Sequence, residues 1–239
     1  MKIWRSTKSR LADLENEIEL LRLQTQSLES TKKLQLDPDF YIEFEDRFRG
    51  PFDIIKERVS VYIDDLAHLA NTNKKVVDIG CGRGELLTAL RESGIHAIGV
   101  DSNPSSITSL QGRGFEASCE DLSDFLKRAP DSSLAAITML HVVEHLPFDL
   151  LLSTFQEVFR VLEPGGIFIA ETPNSLNPTV GSSTFWIDPT HQRPLHPEVL
   201  HFLATHVGFS GAILRGPVTR HTSATELKDF YDIAMVAHK

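Results

Sequence analysis

Residues 76–87 read VVDIGCGRGELL. A short β-branched run gives way to Gly80, Gly82 and Gly84 at every second position, and the helix-forming Glu85, Leu86 and Leu87 follow. Such a strand–turn–helix junction lets backbone pass close to a ligand and leaves free N–H groups at the helix start. A dinucleotide fingerprint would require Gly-x-Gly-x-x-Gly, and Glu85 stands where its third glycine would fall. With Asp78 and Glu85 beside the turn, the ligand is expected to carry positive charge rather than a pyrophosphate.

From residue 75 onward, short apolar runs alternate with helical stretches. KVVDIG, HAIGVD, FEASCE, LAAITML and IFIAET read as strands; ELLTALRESG, SSITSLQGRG, DLSDFLKRA and FDLLLSTFQEVFRVL read as the helices between and after them. Alternation of this kind predicts βαβ units and a mostly parallel, doubly wound α/β sheet. FSGAILRGPV and DFYDIAMVAHK read as two further strands, close enough to form a hairpin at the sheet edge. The second strand ends in Asp101, placed to accept hydrogen bonds from two ribose hydroxyls. The third ends in Cys119, Glu120, Asp121 and Leu122, where an acid and an apolar residue suit an adenine; Asp121 equally suits a helix N-terminus.

At these residues the chain resembles the class I S-adenosylmethionine-dependent methyltransferases. The matching elements are Asp78-x-Gly80-x-Gly82-x-Gly84, Asp101, Glu120 with Asp121, and Leu162-x-Pro164-Gly165-Gly166 before the fifth strand. The resemblance implies a Rossmann-like seven-stranded sheet with an antiparallel last strand, and S-adenosylmethionine as cofactor. It further implies that Asp101 and the adjoining Ser102 hold the ribose, that Glu120 or Asp121 with Leu122 meets the adenine, and that the glycine turn with Asp78 cradles the methionine portion. Leu140 and His141, ending the fourth strand, would touch the cofactor. FEDRFRG at 44–50 would close over it, with Tyr41 stacking on it or hydrogen-bonding it and Arg49 pairing with its carboxylate. The alternative for Arg47 and Arg49 is a bridge to Glu43 and Glu45.

After the fourth strand, His141-x-x-Glu144-His145 matches the spacing of an inverted zinc-peptidase motif. That chemistry needs both histidines on one sustained helix, and Pro147 leaves no room for it, so no metal site is expected. Glu144 and His145 are expected instead to face the acceptor, with a capping role as the alternative for His145. FEDRFRG, HVVEHLPF at 141–148 and the block at 171–203 resemble bacterial methyltransferases of surface polysaccharide synthesis, the O-antigen chain-terminating type. In that type the acceptor is a sugar phosphate; this chain differs in carrying its helical segment at the N-terminus. A glycan or other small polar acceptor is therefore expected. Asp188, His191 and Arg193 are read as the acceptor clamp, with His145 and Glu144 as partners in catalysis. An anionic acceptor would need cations and no base, whereas a hydroxyl would need a general base such as histidine. His196 and Glu198 flank Pro197 at the start of the next helix.

The remaining features set bounds. With 33 acidic against 24 basic residues and a net charge of −9, nucleic acid is not expected as a partner. No apolar run reaches the roughly 18 residues of a membrane span, and the basic start lacks the apolar core of a secretory signal. Cys81 and Cys119 form no disulfide framework, and Cys81 reads as a small apolar residue of the turn. A cytoplasmic location follows, with the inner membrane's face as a place of work. Leu11, Leu14, Ile18, Leu21, Thr25 and Leu28 keep a/d spacing, so residues 9–30 are expected to serve a homodimer or a partner helix, or to lie on their own domain. The expected organisation is an N-terminal helix over 1–36, a helical cap and cofactor lid over 37–72 and a methyltransferase domain over 73–239. Competing readings are a methyltransferase for a lipid-quinone precursor or a protein, and a non-catalytic cofactor-binding assembly protein.

Overall fold

The computed structural model describes residue 18, residues 37–217 and residues 225–239. The chain divides into two units, Met1–Tyr41 and Ile42–Lys239. Apart from Ile18, the a/d seam and the coiled-coil reading lie outside the described residues.

Seven strands form one sheet: β1 (Val76–Ile79), β2 (Ala97–Asp101), β3 (Ala117–Cys119), β4 (Leu134–Leu140), β5 (Leu162–Pro173), β6 (Ser210–Arg215) and β7 (Asp232–His238). Their order is β3-β2-β1-β4-β5-β7-β6. The first five pair in parallel, and β7 runs against both β5 and β6. The expected edge hairpin forms, with β7 inserted between β5 and β6. Because β7 is reversed, its first residue, Asp232, pairs with Pro173 at the carboxyl edge of β5.

Helices α1 (Pro38–Phe48), α2 (Phe52–Val59) and α3 (Ile63–Leu66) precede the sheet. The others are α4 (Glu85–Glu92), α5 (Pro104–Gly112), α6 (Leu122–Arg128), α7 (Phe148–Val161), α8 (Pro178–Ser182) and α9 (Pro197–Val207). Successive strand residues serve opposite cores, as a period of two requires. Val77, Phe168 and Ala170 pack with Phe155 and Val158 of α7 and Leu200 of α9. Val76, Ile167 and Ile169 pack with Ile55, Val59, Tyr62 and Leu66 on the other face.

Asp37-Pro38 opens α1: Asp37 accepts from the Asp39 N–H at 3.0 Å, and proline loses nothing in a first turn, where its N–H would have no partner. The run from Phe52 to Leu69 is a chain of α and 3-10 turns in which Ile55, Val59, Tyr62, Leu66 and Leu69 share a buried face. Among the described residues, no helix is long and apolar enough to cross a membrane.

Candidate active site

The strand order reverses between β1 and β4, so their carboxyl ends flank a crevice where α/β sheets bind ligands. On the β1 side, Gly80 and Gly84 both have left-handed φ, +72° and +81°. A Cβ on Gly80 would stand 2.3 Å from Val142 Cγ2, and one on Gly84 would stand 2.4 Å from Leu110 Cδ2. Those two glycines are demanded by packing. Gly82 differs, since the nearest atoms to its would-be Cβ are Arg49 Nη1 and Glu45 Oε2, both at 3.8 Å. The open side of the turn is bounded by these two side chains.

Asp101, ending β2, is fixed by the Gly82 N–H at 2.9 Å and the Asn103 N–H at 2.8 Å. Burial pushes its carboxyl up, against the pull of those N–H groups. Ser102 follows, exposed. Asp78 is buried and accepts from Thr138 Oγ1 at 2.7 Å; burial raises its pKa to about 7 despite that bond. Arg49 Nη1 lies 3.2 Å from Glu45 Oε1, so the bridging alternative is realised, but its buried Nε has no hydrogen-bond partner. Arg83, which no sequence motif marked, ties this segment to the turn through Asp46 at 2.6 Å, Glu85 at 2.6 Å and the Gly50 carbonyl at 3.1 Å. Glu120 accepts from Ser118 and Arg128, each at 2.7 Å. Asp121 caps α6 through the Ser123 N–H at 2.8 Å, and Leu122 packs on the core. Tyr41 belongs to the first unit, and its part in the site stays a proposal.

On the β4 side, Leu140 is buried, and His141 follows at a left-handed φ of +58°, held by its N–H to the Glu171 carbonyl at 2.8 Å. Its ring lies 3.2 Å from Glu144 Oε1 and 3.1 Å from Glu171 Oε1. Arg58 reaches Asp232 at 3.0 Å and Glu171 at 3.4 Å, and the Tyr62 hydroxyl donates to Glu171. Burial would lower the His141 pKa, but Asp232, Glu144 and Glu171 outweigh it and raise it to about 9. Sequence reading missed Arg58, Tyr62, Glu171 and Asp232. Its one available signal was an acid inside the apolar run IFIAET.

Val143–His145 is a single 3-10 turn, so His141 and His145 share no helix. Glu144 is fully buried; its Oε2 accepts from Thr172 at 3.0 Å, and its carbonyl accepts from the Gln192 N–H at 2.9 Å. That second bond ties the β4 turn to the loop after β5. The His145 and His191 rings lie edge to face with centroids 4.7 Å apart. Thr190 donates to Asp188 at 2.6 Å, so its oxygen accepts from His145 Nδ1 at 2.9 Å. His191 Nδ1 donates to the Phe185 carbonyl at 2.6 Å. In the neutral form of either ring the lone pair is thereby left on Nε2. Burial, joined by His191, holds His145 below the usual imidazole range.

The expected clamp of Asp188, His191 and Arg193 is not assembled as such. The Arg193 guanidinium lies 4.5 Å over the Phe148 ring, exposed, because a cation beside a free aromatic face finds a better partner there than in a histidine cluster. Asp188 serves Thr190 through both its N–H and its hydroxyl. His196 caps α9 by accepting from the Glu198 N–H at 3.2 Å, as its position before Pro197 implied.

Residues 45–211 match the family model described as a methyltransferase domain. The chain belongs to the class I S-adenosylmethionine-dependent methyltransferases. It is 29% identical over 152 residues to a Mycolicibacterium smegmatis protein named "Probable S-adenosylmethionine-dependent methyltransferase", covering 64% of this chain and 58% of that one. A ubiquinone biosynthesis O-methyltransferase of Pseudomonas fluorescens is 29% identical over 135 residues, 54% of this chain and 56% of that one. The chain thus spans little more than half the length of these relatives. A crystal structure of a SAM dependent methyltransferase from Archaeoglobus fulgidus superposes with a TM-score of 0.71 and 28% identity, over 84% of this methyltransferase and 100% of that one.

The residues on the β1 side fit the family's cofactor. An unpartnered buried Arg49 Nε suits a carboxylate, the gap over Gly82 admits a ligand that a Cβ would obstruct, and buried Asp78 with half-buried Glu45 and Asp101 suits a cationic one.

Proposed function

We propose that this methyltransferase transfers a methyl group to a hydroxyl oxygen of a polar acceptor, with a sugar as the leading class. S-adenosylmethionine, when bound, supplies an electrophilic methyl group on a sulfonium leaving group. Asp101 and Ser102 would hold its ribose, Arg49 its carboxylate, Glu120, Asp121 and Leu122 its adenine, and Asp78 with the glycine turn its methionine portion.

One observation carries the choice of a hydroxyl over a phosphate. Facing the crevice from the β4 and β5 loops are two imidazoles whose Nδ1 protons are committed elsewhere, and Arg193, the cation expected for an anionic acceptor, is turned onto Phe148. A phosphate needs donors aimed at it, whereas a hydroxyl needs its proton drawn off, which lone pairs on His145 and His191 are suited to do. The sugar class is supported by the resemblance of the 171–203 block to polysaccharide methyltransferases. A phenolic acceptor is the second reading, favoured by the likeness to a ubiquinone biosynthesis O-methyltransferase.

The test is labelled methyl transfer from S-adenosylmethionine to glycan oligomers, nucleotide sugars, phosphosugars and catechol-type phenols. Methyl ethers on a sugar support the leading reading, and methyl ethers on a phenol alone support the second. Methyl phosphate esters would overturn both.

A further inference from the structure

Two clusters of the same chemical kind sit at the carboxyl edge of the sheet, and only the first holds an arginine. His141, Glu171 and Asp232 bring donor atoms within 4.8 Å of one another, and so do Glu144, His145 and His191. In the first, the Arg58 guanidinium already stands 3.0 Å from Asp232, 3.4 Å from Glu171 and 3.1 Å from His141 Nε2. In the second, among the described residues, no arginine or lysine forms an ion pair with Glu144.

The second cluster is also rich in unused lone pairs. Glu144 Oε1 is buried without a hydrogen bond. His141 Nδ1 is 3.2 Å from it, on a ring that also faces Glu171 and Asp232, and His191 Nε2 is 3.9 Å away. Each histidine spends its Nδ1 proton on another oxygen, Thr190 Oγ1 for His145 and the Phe185 carbonyl for His191. Of these lone pairs Glu144 Oε1 is the buried one, and a buried carboxylate oxygen is unfavourable unless donors or a positive charge meet it.

We propose that Glu144, His145 and His191 hold a divalent transition-metal ion. Two imidazoles and one carboxylate are the donor set that favours zinc, manganese, iron or cobalt over magnesium and calcium, and three protein ligands leave positions for an acceptor oxygen. The outer contacts are those that fix metal-bound histidines: a backbone carbonyl behind His191, Thr190 and Asp188 behind His145, and Thr172 on the second oxygen of Glu144. The linear His-x-x-Glu-His spacing misleads on this point, because the third ligand comes from the loop after β5 and His141 is engaged elsewhere.

This inference rests on the hydroxyl-acceptor reading for its role in catalysis. With both Nε2 lone pairs engaged by the ion, neither histidine takes the proton itself; the ion instead acidifies an acceptor hydroxyl bound to it. The hydroxyl proton passes to solvent, the oxygen pair forms the new carbon–oxygen bond, and the carbon–sulfur pair stays with the departing sulfur.

The test uses the full chain, stripped with EDTA, dialysed and titrated with cobalt(II), with bound metal measured by elemental analysis and by cobalt visible absorption. We expect about one equivalent per chain, and binding weakened more than tenfold in His191→Ala and Glu144→Gln. Activity should be lost on stripping and restored by zinc or manganese. Absence of the cobalt bands in the folded wild-type protein, or equal binding in the variants, overturns the proposal, whether or not an acceptor is in hand. If stripped enzyme works at full rate while His191→Ala does not, the ion is excluded and the hydroxyl reading stands. If neither stripping nor His191→Ala lowers turnover, both fail.

Discussion

The two halves of the crevice are built by different means. Around the glycine turn, backbone does much of the fixing: Gly80 and Gly84 are forced by their neighbours, and Asp101 is held by main-chain N–H groups. Across the crevice, Glu144, His145 and His191 come from two loops separated by α7 and β5, and side-chain hydrogen bonds orient them. The first half should therefore be intolerant of an added Cβ, and the second of a lost polar group.

The largest effect should come from adding a methyl group to the cofactor half. In Gly80→Ala, a left-handed backbone and a contact of 2.3 Å with Val142 act together. We expect a loss of about 2–5 kcal/mol in a urea melt and failure to bind S-adenosylmethionine. A loss below about 1 kcal/mol would show that packing does not fix this turn.

Next is a pH effect from Asp78. Burial raises its folded pKa to about 7, above its ordinary value of 3.8, so the folded protein keeps a proton that the unfolded chain gives up. Stability of the cofactor-free protein should thus fall as pH rises from about 4 through 7. Asp78→Asn removes this dependence and should be relatively more stable above pH 7, by on the order of 3 kcal/mol. Parallel pH profiles for the two proteins would refute the assignment.

Asp101→Ala should weaken cofactor binding by roughly 10–100-fold in calorimetry, the scale of hydrogen bonds to a charged group, and leave the urea midpoint much less affected. The smallest effect belongs to Arg193→Ala. With its guanidinium on exposed Phe148, turnover should change by less than about threefold and stability by about 0.5–1 kcal/mol. A larger fall in turnover would return Arg193 to the acceptor site.

The same contrast explains what could be read beforehand. The glycine turn, the acid after β2, the strand–helix alternation and the edge hairpin all rest on local spacing, and each is present. Helix α1 falls inside the helical cap expected over 37–72, but its own bounds could not be read because its aromatics and charges show no clean apolar period. The placing of Arg193 over Phe148 was not legible, because spacing puts Arg193 near His191 and says nothing of Phe148, which lies far off in the chain. The network of Arg58, Tyr62, His141, Glu171 and Asp232 depends on a reversed β7 meeting β5, a pairing that no window of sequence contains.

The division of labour between the halves has one direct test, cofactor affinity and turnover measured side by side in His191→Ala. The geometry predicts a fall in kcat of about 10²-fold or more, with the dissociation constant for S-adenosylmethionine changed less than about twofold. Equal losses in both would contradict it and place His191 in the cofactor half.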